Sequence, residues 1–225
     1  PGHWIVDRDA LRKIAPRVVF LQNSCDICDP GEDDVLAALQ DTDLLHQQSP
    51  IHDQSDNNRC QLVQVSPTSL EGIFDSIRRV ATVLQVEAKG AKFVSKLQKR
   101  LSHIRTILSD YSCSTTSPTS RPLRVVSLEG MAPLCTGGGW LPDMKRAAGC
   151  VDAFGETGGA KARVRSWDEI SAVDPDALIL SPCSATPTRT FRELHLLTSE
   201  PRFWKLRCLR EGNVYILDHS RFSRP

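Results

Sequence analysis

Apolar positions run along this chain in two rhythms. Residues 7–16, DRDALRKIAP, bring Leu11 and Ile14 to one helical face before Pro16 stops the pattern. Val18–Leu21 is then a continuous apolar run, the pattern of a strand buried on both faces of a parallel sheet. A short helix is expected over 33–39 through Val35, Leu36 and Leu39. Residues 41–59 are polar and without period, and read as a loop or disordered insert. Strand character returns at 62–65. Thr68-x-x-Glu71 then makes a capping-box pattern ahead of a stripe of Leu70, Ile73, Phe74, Ile77, Val80, Ala81 and Leu84. From Glu87 to Leu108, apolar residues such as Val94, Leu97, Leu101 and Ile104 recur at spacings of three and four. A helix of that length spans roughly 30 Å at 1.5 Å per residue.

Residues 112–121, SCSTTSPTSR, form a Ser/Thr/Pro linker. Beyond it, expected strands at 124–128, 177–180 and 214–217 alternate with expected helices at 140–148 and 167–173. That alternation argues for a parallel sheet. Residues 9–22 and 168–181 align without a gap, setting Leu11 opposite Ile170, Pro16 opposite Pro175 and Asp9 opposite Asp168. Helix-proline-strand units look alike in many α/β proteins. The functional reading is a pair of pseudo-symmetric lobes, each presenting one acidic residue. The expected fold class is α/β, with two Rossmann-like lobes of mostly parallel sheet joined by a long helix. The boundaries are an N-terminal lobe over 1–85 with the polar insert 41–59, a linker helix over 86–111, the linker 112–121 and a C-terminal lobe over 122–225.

At 225 residues the chain can build one large domain or two small lobes, each with a core. A net charge of +1 lacks the basic excess that phosphate neutralisation needs, so nucleic acid is not an expected partner. No run of eighteen apolar residues occurs, so no membrane span is expected. Residues 1–15 hold no signal-peptide pattern. The chain opens on Pro1 and closes on Arg224-Pro225 directly after a strand-like segment, which reads as a chain cut at both ends. The compartment is therefore open. Of eight scattered cysteines, only Cys25 and Cys28 have motif spacing.

Candidate chemistry is sparse. Cys25-x-x-Cys28 reads as a redox pair, as half of a zinc site with no second pair of ligands, or as a loop pair in disulfide or thiol form. Gly137–Gly139 precede Trp140. Glycines there permit a tight turn, and the indole beside them lies flat on a macrocycle or packs on its own lobe. The same glycines lack the Lys-Ser/Thr of a phosphate loop. Glu129 ends a strand, where a carboxylate faces a cleft or stays a surface charge. Asp9 and Asp168 sit where helix N-terminal acids meet the macrodipole. No histidine pair has i, i+4 spacing, and no Gly-x-Ser-x-Gly elbow supports a Ser-His-Asp site.

Five segments in order carry a resemblance: PRVVFLQNSCDIC (16–28), SPTSLEGIFDSIRRVATVL (66–84), RVVSLEGMAPLCTGGGWLPDM (124–144), SWDEISAVDPDALILSPC (166–183) and REGNVYILDHSRFSRP (210–225). Together they resemble the cobalamin and iron-siderophore branch, class III, of the periplasmic solute-binding proteins that feed ABC importers. The likeness departs at two places: no histidine precedes Trp140, and Gly130 follows Glu129 where relatives often carry an aromatic residue.

The resemblance implies a bilobal fold with an incomplete first lobe and a ligand cleft between lobes, at the carboxyl ends of the strands. Its candidate ligand contacts are Gln22, Asn23, Cys25, Glu129, Trp140, Cys183, Phe222 and Arg224. It makes Cys25 and Cys28 a cleft-loop pair, and Asp9 and Asp168 the residues that dock on a permease. It implies a non-catalytic protein with no intrinsic cofactor and no metal site, taking cobalamin, another corrinoid or an iron chelate as ligand. It implies a monomer that is periplasmic or otherwise exported, with cytoplasmic and organellar placement left open by the missing signal peptide. Two rival readings stand beside it: a redox or metal-dependent enzyme built on the Cys-x-x-Cys pair, and a divergent interaction protein of this fold that no longer transports.

Overall fold

A computed structural model describes residues 5–22, 32–42, 60–114 and 121–223, with the backbone alone over 111–114. Contacts divide the chain into two compact units, Pro1–Ser66 and Pro67–Pro225.

In the first unit, α1 (Arg8–Ile14) leads into β1 (Val18–Leu21), and α2 (Glu32–Asp41) precedes β2 (Gln61–Gln64). The two strands pair in parallel, from Val18 opposite Gln61 to Leu21 opposite Gln64. Leu21, Val35, Leu39 and Cys60 form the core, with Val6, Leu11, Val19 and Leu62 packed on it. The expectation of a strand buried on both faces is not met. Phe20 is 40% exposed and only Leu21 of β1 is buried, because the described sheet has one apolar partner layer. Ile14 likewise projects to solvent while Leu11 packs. The polar insert begins later than its composition suggests. Asp41 completes α2, and buried Thr42 donates its hydroxyl to the carbonyls of Ala38 (2.9 Å) and Leu39 (3.0 Å).

The second unit opens with α3 (Leu70–Val83) and α4 (Glu87–Ser114). The cap of α3 lies one residue beyond the expected Thr68: Ser69 Oγ accepts from Gly72 N at 3.1 Å. Thr68 is engaged elsewhere, its carbonyl accepting from Gly159 N at 2.8 Å. The two helices pack so closely near their turn that a Cβ on Gly90 would lie 2.4 Å from Ala81 Cβ. A glycine within a helix costs about 1 kcal/mol against alanine, and this contact in the first turn of α4 is what it permits. Both helices belong with the second unit, although the apolar stripe of α3 falls in the range read as the first lobe.

The sheet of this unit is built on β3 (Arg124–Met131), β4 (Leu134–Thr136), β5 (Val151–Asp152), β6 (Arg163–Val164), β7 (Ala177–Leu180) and β8 (Val214–Ile216). Its order is β6-β4-β3-β7-β8, with β5 also paired to β3. β3, β5, β7 and β8 run parallel, while β4 and β6 add an antiparallel edge that the sequence pattern did not show. Between strands lie α5 (Leu141–Ala147), α6 (Trp167–Val173) and four short helices, α7 (Pro187–Arg192), α8 (His195–Thr198), α9 (Pro201–Lys205) and α10 (Arg207–Arg210). A single turn, α11 (His219–Phe222), follows β8.

The internal match has a structural counterpart. α1 and α6 are both seven residues long, N-capped by Asp7 and Ser166, and both end on a left-handed residue, Ala15 (φ 44°) and Asp174 (φ 38°). Side chains rarely adopt that backbone region. A proline and a four-residue strand follow each time, β1 and β7. The two segments thus share cap, length, backbone inversion and strand.

Candidate ligand site

The two faces of the second unit's sheet differ in chemistry because strand side chains alternate. Val126 and Leu128 of β3 and Leu178 and Leu180 of β7 point into an apolar core with Ile170, Leu197, Phe203 and Leu206. The intervening residues, Ser127 and Glu129 on β3 and Ser181 just after β7, lie on the opposite face. There the hydroxyls of Ser127 and Ser181 are buried with no hydrogen-bond partner among the described residues. Each such group costs about 1–3 kcal/mol when left unpaired, so this buried polar layer asks for a purpose.

At the carboxyl end of the parallel strands the layer reaches the surface. The Glu129 side chain keeps 21% of its exposure, and its Oε1 stands 3.8 Å from Nε2 of His219 on α11. Burial pushes the Glu129 carboxyl up, while nearby Ser223, His219 and Lys145 pull it back in that order. The Ser223 hydroxyl acts here by proximity, since it is buried outside hydrogen-bond geometry; His219 Nδ1 is buried and unpartnered as well. Lys145 of α5 is itself committed: its ammonium pairs with Asp152 of β5, and both side chains are almost fully buried, 3% and 4% exposed. Asp152 Oδ1 also accepts from Phe154 N at 2.9 Å.

The glycine run holds this corner together. A Cβ on Gly137 would stand 2.3 Å from Leu141 Cδ1 and 3.0 Å from the Glu129 carboxyl carbon. On Gly138 it would meet the backbone of Ala160 and Ala162 at 2.4 Å. Trp140, next in line, is half-buried and donates its Nε1–H to the carbonyl of Ser223 at 3.0 Å. The indole is thereby tied to the end of α11 on its own unit, with part of the ring open.

Of the residues singled out in the sequence, Glu129 and Trp140 both meet the α11 turn, through His219 and Ser223, and half-buried Phe222 precedes Ser223 in the chain. Cys183 is exposed, and its backbone N–H donates to the Glu129 carbonyl at 2.9 Å. Gln22 follows β1 in the first unit and is exposed. Asn23, Cys25 with Cys28, and Arg224 lie outside the described residues. Asp9 and Asp168 occupy the same helix position in their two segments, each paired with an arginine of its own unit, Arg12 and Arg202, at 2.8 Å. Both carboxylates remain open, 93% and 83% exposed. His219, Ser223, Ser127, Ser181 and the Lys145–Asp152 pair were not singled out. The alternation Val126-Ser127-Leu128-Glu129 carried a signal for one of them, Ser127. No group of three or more His, Cys, Asp and Glu side chains fit to hold a metal ion occurs among the described residues.

A model of the family described as periplasmic binding protein matches residues 3–220. The chain belongs to that family. No curated protein matches it in sequence. Among solved structures, this periplasmic binding protein is similar to an ABC transporter substrate-binding protein from Listeria monocytogenes, with TM-score 0.71 and 11% identity over 96% of this chain and 72% of that one. It is similar to a Staphylococcus aureus protein solved with heme, with TM-score 0.70 and 12% identity over 96% and 72% of the two chains. It is also similar to the periplasmic vitamin B12-binding protein of Vibrio cholerae, with TM-score 0.61 and 16% identity over 99% and 73%. At these identities the likeness is one of fold, and it agrees with the class III type that the sequence segments resemble.

Proposed function

We propose that the chain binds a corrinoid or related metal chelate as the solute-binding component of an ABC-type uptake system. The observation that carries the reading is the carboxyl-end corner of the second unit: half-buried Trp140 is tied by its Nε1–H to the carbonyl of Ser223, at the same turn whose His219 stands 3.8 Å from the partly open Glu129. Open sheets bind ligands at this edge. Aromatic faces beside a few polar groups suit a flat macrocycle with polar arms. The similar structures named above, which include a vitamin B12-binding and a heme-bound protein, support the same class of ligand. Asp9 and Asp168 are proposed as the permease contacts. Their support is the shared helix position and their exposure on repeated segments.

Calorimetric titration with cyanocobalamin, dicyanocobinamide, hemin and a ferric siderophore tests the reading. At least one is expected to bind saturably, and Trp140→Ala to weaken it about tenfold or more, about 1.4 kcal/mol. No saturable binding of any of them at tens of micromolar refutes it.

A further inference from the structure

We infer that the outward face of α4 docks the protein reversibly on an anionic lipid surface. This goes beyond the ligand reading and does not depend on it. From Ala88 to Ser109 the helix carries Lys89, Lys92, Lys96, Lys99, Arg100 and Arg105 and no acidic residue. Of the 28 basic residues of the chain six lie here, which leaves 22 against 27 acidic ones elsewhere. The near-zero net charge therefore hides a segregation, one basic helix on an otherwise acidic chain.

Packing decides which way this helix faces. Val94 is buried, Gly90 meets Ala81 of α3, and a Cβ on Gly149 would stand 3.4 Å from Leu108. Leu101 and Arg105 line a groove with Leu70 and Phe74 of α3 and Ala147 of α5. At about 100° per residue, Lys89, Lys92, Lys96, Lys99 and Arg100 fall within an arc of about 100° on the far side of the helix. All five are exposed, and none has an ion pair among the described residues. The acids of neighbouring α3, Glu71 and Asp75, are taken by Arg78.

Beside the basic arc runs an apolar stripe. Phe93, Ile104 and Ile107 are each about half open to water, with partly buried Leu97 among them. Large apolar side chains next to unpaired cations combine the two attractions of an interfacial helix: the apolar groups enter the headgroup boundary while the cations meet lipid phosphates. Lysine stems extend the apolar contact and leave their ammonium groups wet. No helix among the described residues is long and apolar enough to cross a membrane, so α4 would lie along the surface. Other occupants fit less well. A second copy would set one lysine arc against another, with no acid from Ala88 to Ser109 to offset it. A nucleic acid duplex would take the lysines and leave the apolar stripe open to water. For an uptake component, the consequence is a raised local concentration at the membrane that holds its permease.

Co-sedimentation of the full chain with lipid vesicles tests the docking. Vesicles of equal parts phosphatidylglycerol and phosphatidylcholine are expected to bind at least about tenfold more tightly than phosphatidylcholine alone at about 50 mM salt, and about 300 mM salt to remove most of that preference. The triple variant Lys92→Gln, Lys96→Gln, Lys99→Gln is expected to weaken binding at least about thirtyfold. The pair Phe93→Gln, Ile107→Gln is expected to weaken it at least about fivefold while its salt dependence is kept. Removing the same charge elsewhere, at exposed Lys13, Lys161 and Lys205, each to Gln, is expected to change binding by less than about threefold. Circular dichroism and a thermal melt establish that each variant is folded. A wild type with no preference for anionic vesicles, or an equal loss in the two lysine triples, overturns the docking. Binding that the apolar pair leaves unchanged, with a short DNA duplex bound more tightly than vesicles, marks a general polyanion surface and overturns it too. A dimer in sedimentation velocity that the apolar pair dissolves assigns the stripe to a second copy, with the same result. None of these outcomes bears on the ligand reading, which the calorimetric titration decides.

Discussion

Asp176→Asn probes the device that aligns the strands beneath the candidate site. Asp176 sits directly before β7. Its carboxylate accepts from two guanidinium groups, Arg121 and Arg207, and from the Arg124 backbone N–H at 2.7 Å, where β3 begins. Asp176 N in turn donates to the Arg124 carbonyl at 2.8 Å, so one residue pins the starts of both strands. The Arg121 hydrogen bonds, more than any other partner, hold this carboxyl well below the usual carboxylate range against the opposing effect of burial.

The side chain is covered, in part by the two arginines themselves, of which Arg121 is 57% and Arg207 31% open to water. Its surroundings are thus less dry than its own coverage suggests. Two charge-assisted bonds at about 1.5–3 kcal/mol each, halved for screening around exposed guanidiniums, give about 2 kcal/mol. Asn keeps the bond to Arg124 N through its carbonyl, so that part is retained.

In thermal melts near neutral pH the variant is expected to lose about 4–8 °C for a unit of this size. The pH dependence follows from the lowered carboxyl. A depressed folded-state value adds stability above the unfolded value near pH 4 and loses it as pH falls toward the folded one. The gap between wild type and variant is therefore expected to be flat from about pH 8 to 5 and to close only below about pH 4. A variant within about 0.5 kcal/mol of wild type, or a gap that widens on acidification, would refute this account.

Further variants test the corner of the candidate site. Lys145→Met leaves Asp152 charged and buried, and is expected to cost about 3–5 kcal/mol in urea unfolding. Asp152→Asn added to it is expected to recover most of that loss, and no recovery would mean that the pair is not what holds α5 to β5. Gly138→Ala forces a Cβ into backbone at 2.4 Å, expected to cost about 1–3 kcal/mol or more and to move Trp140, read as a changed indole emission maximum. An unshifted spectrum with unchanged stability would count against the close packing described for Gly137–Gly139.

Much of the architecture was legible in the chain because it rests on local rules. Continuous apolar runs at Val18–Leu21 and Ala177–Leu180 marked strands, and the stripe from Ile73 to Ala81 marked a helix. The match of 9–22 with 168–181 foretold two segments alike in cap, helix, inversion and strand, since each step depends on neighbours in sequence. Where the reading slipped, long-range packing had intervened. Thr68 yields its capping role to Ser69 because its carbonyl serves Gly159, far along the chain. Phe20 stands partly open because the strand has one apolar layer against it, which no strand motif can report.

The candidate site divides along the same line. A carboxylate at a strand end and an indole after a glycine run pointed to Glu129 and Trp140, while Phe222 came from the family resemblance. Tertiary structure alone decided that His219 would face Glu129, that Ser223 would hold the Trp140 indole, and that Lys145 would be consumed by Asp152. The Glu129–His219 and Trp140–Ser223 contacts join positions far apart in the chain. Nothing in the local sequence records such neighbours; they exist only once the sheet, α5 and α11 are packed together, and they set the charge of the site.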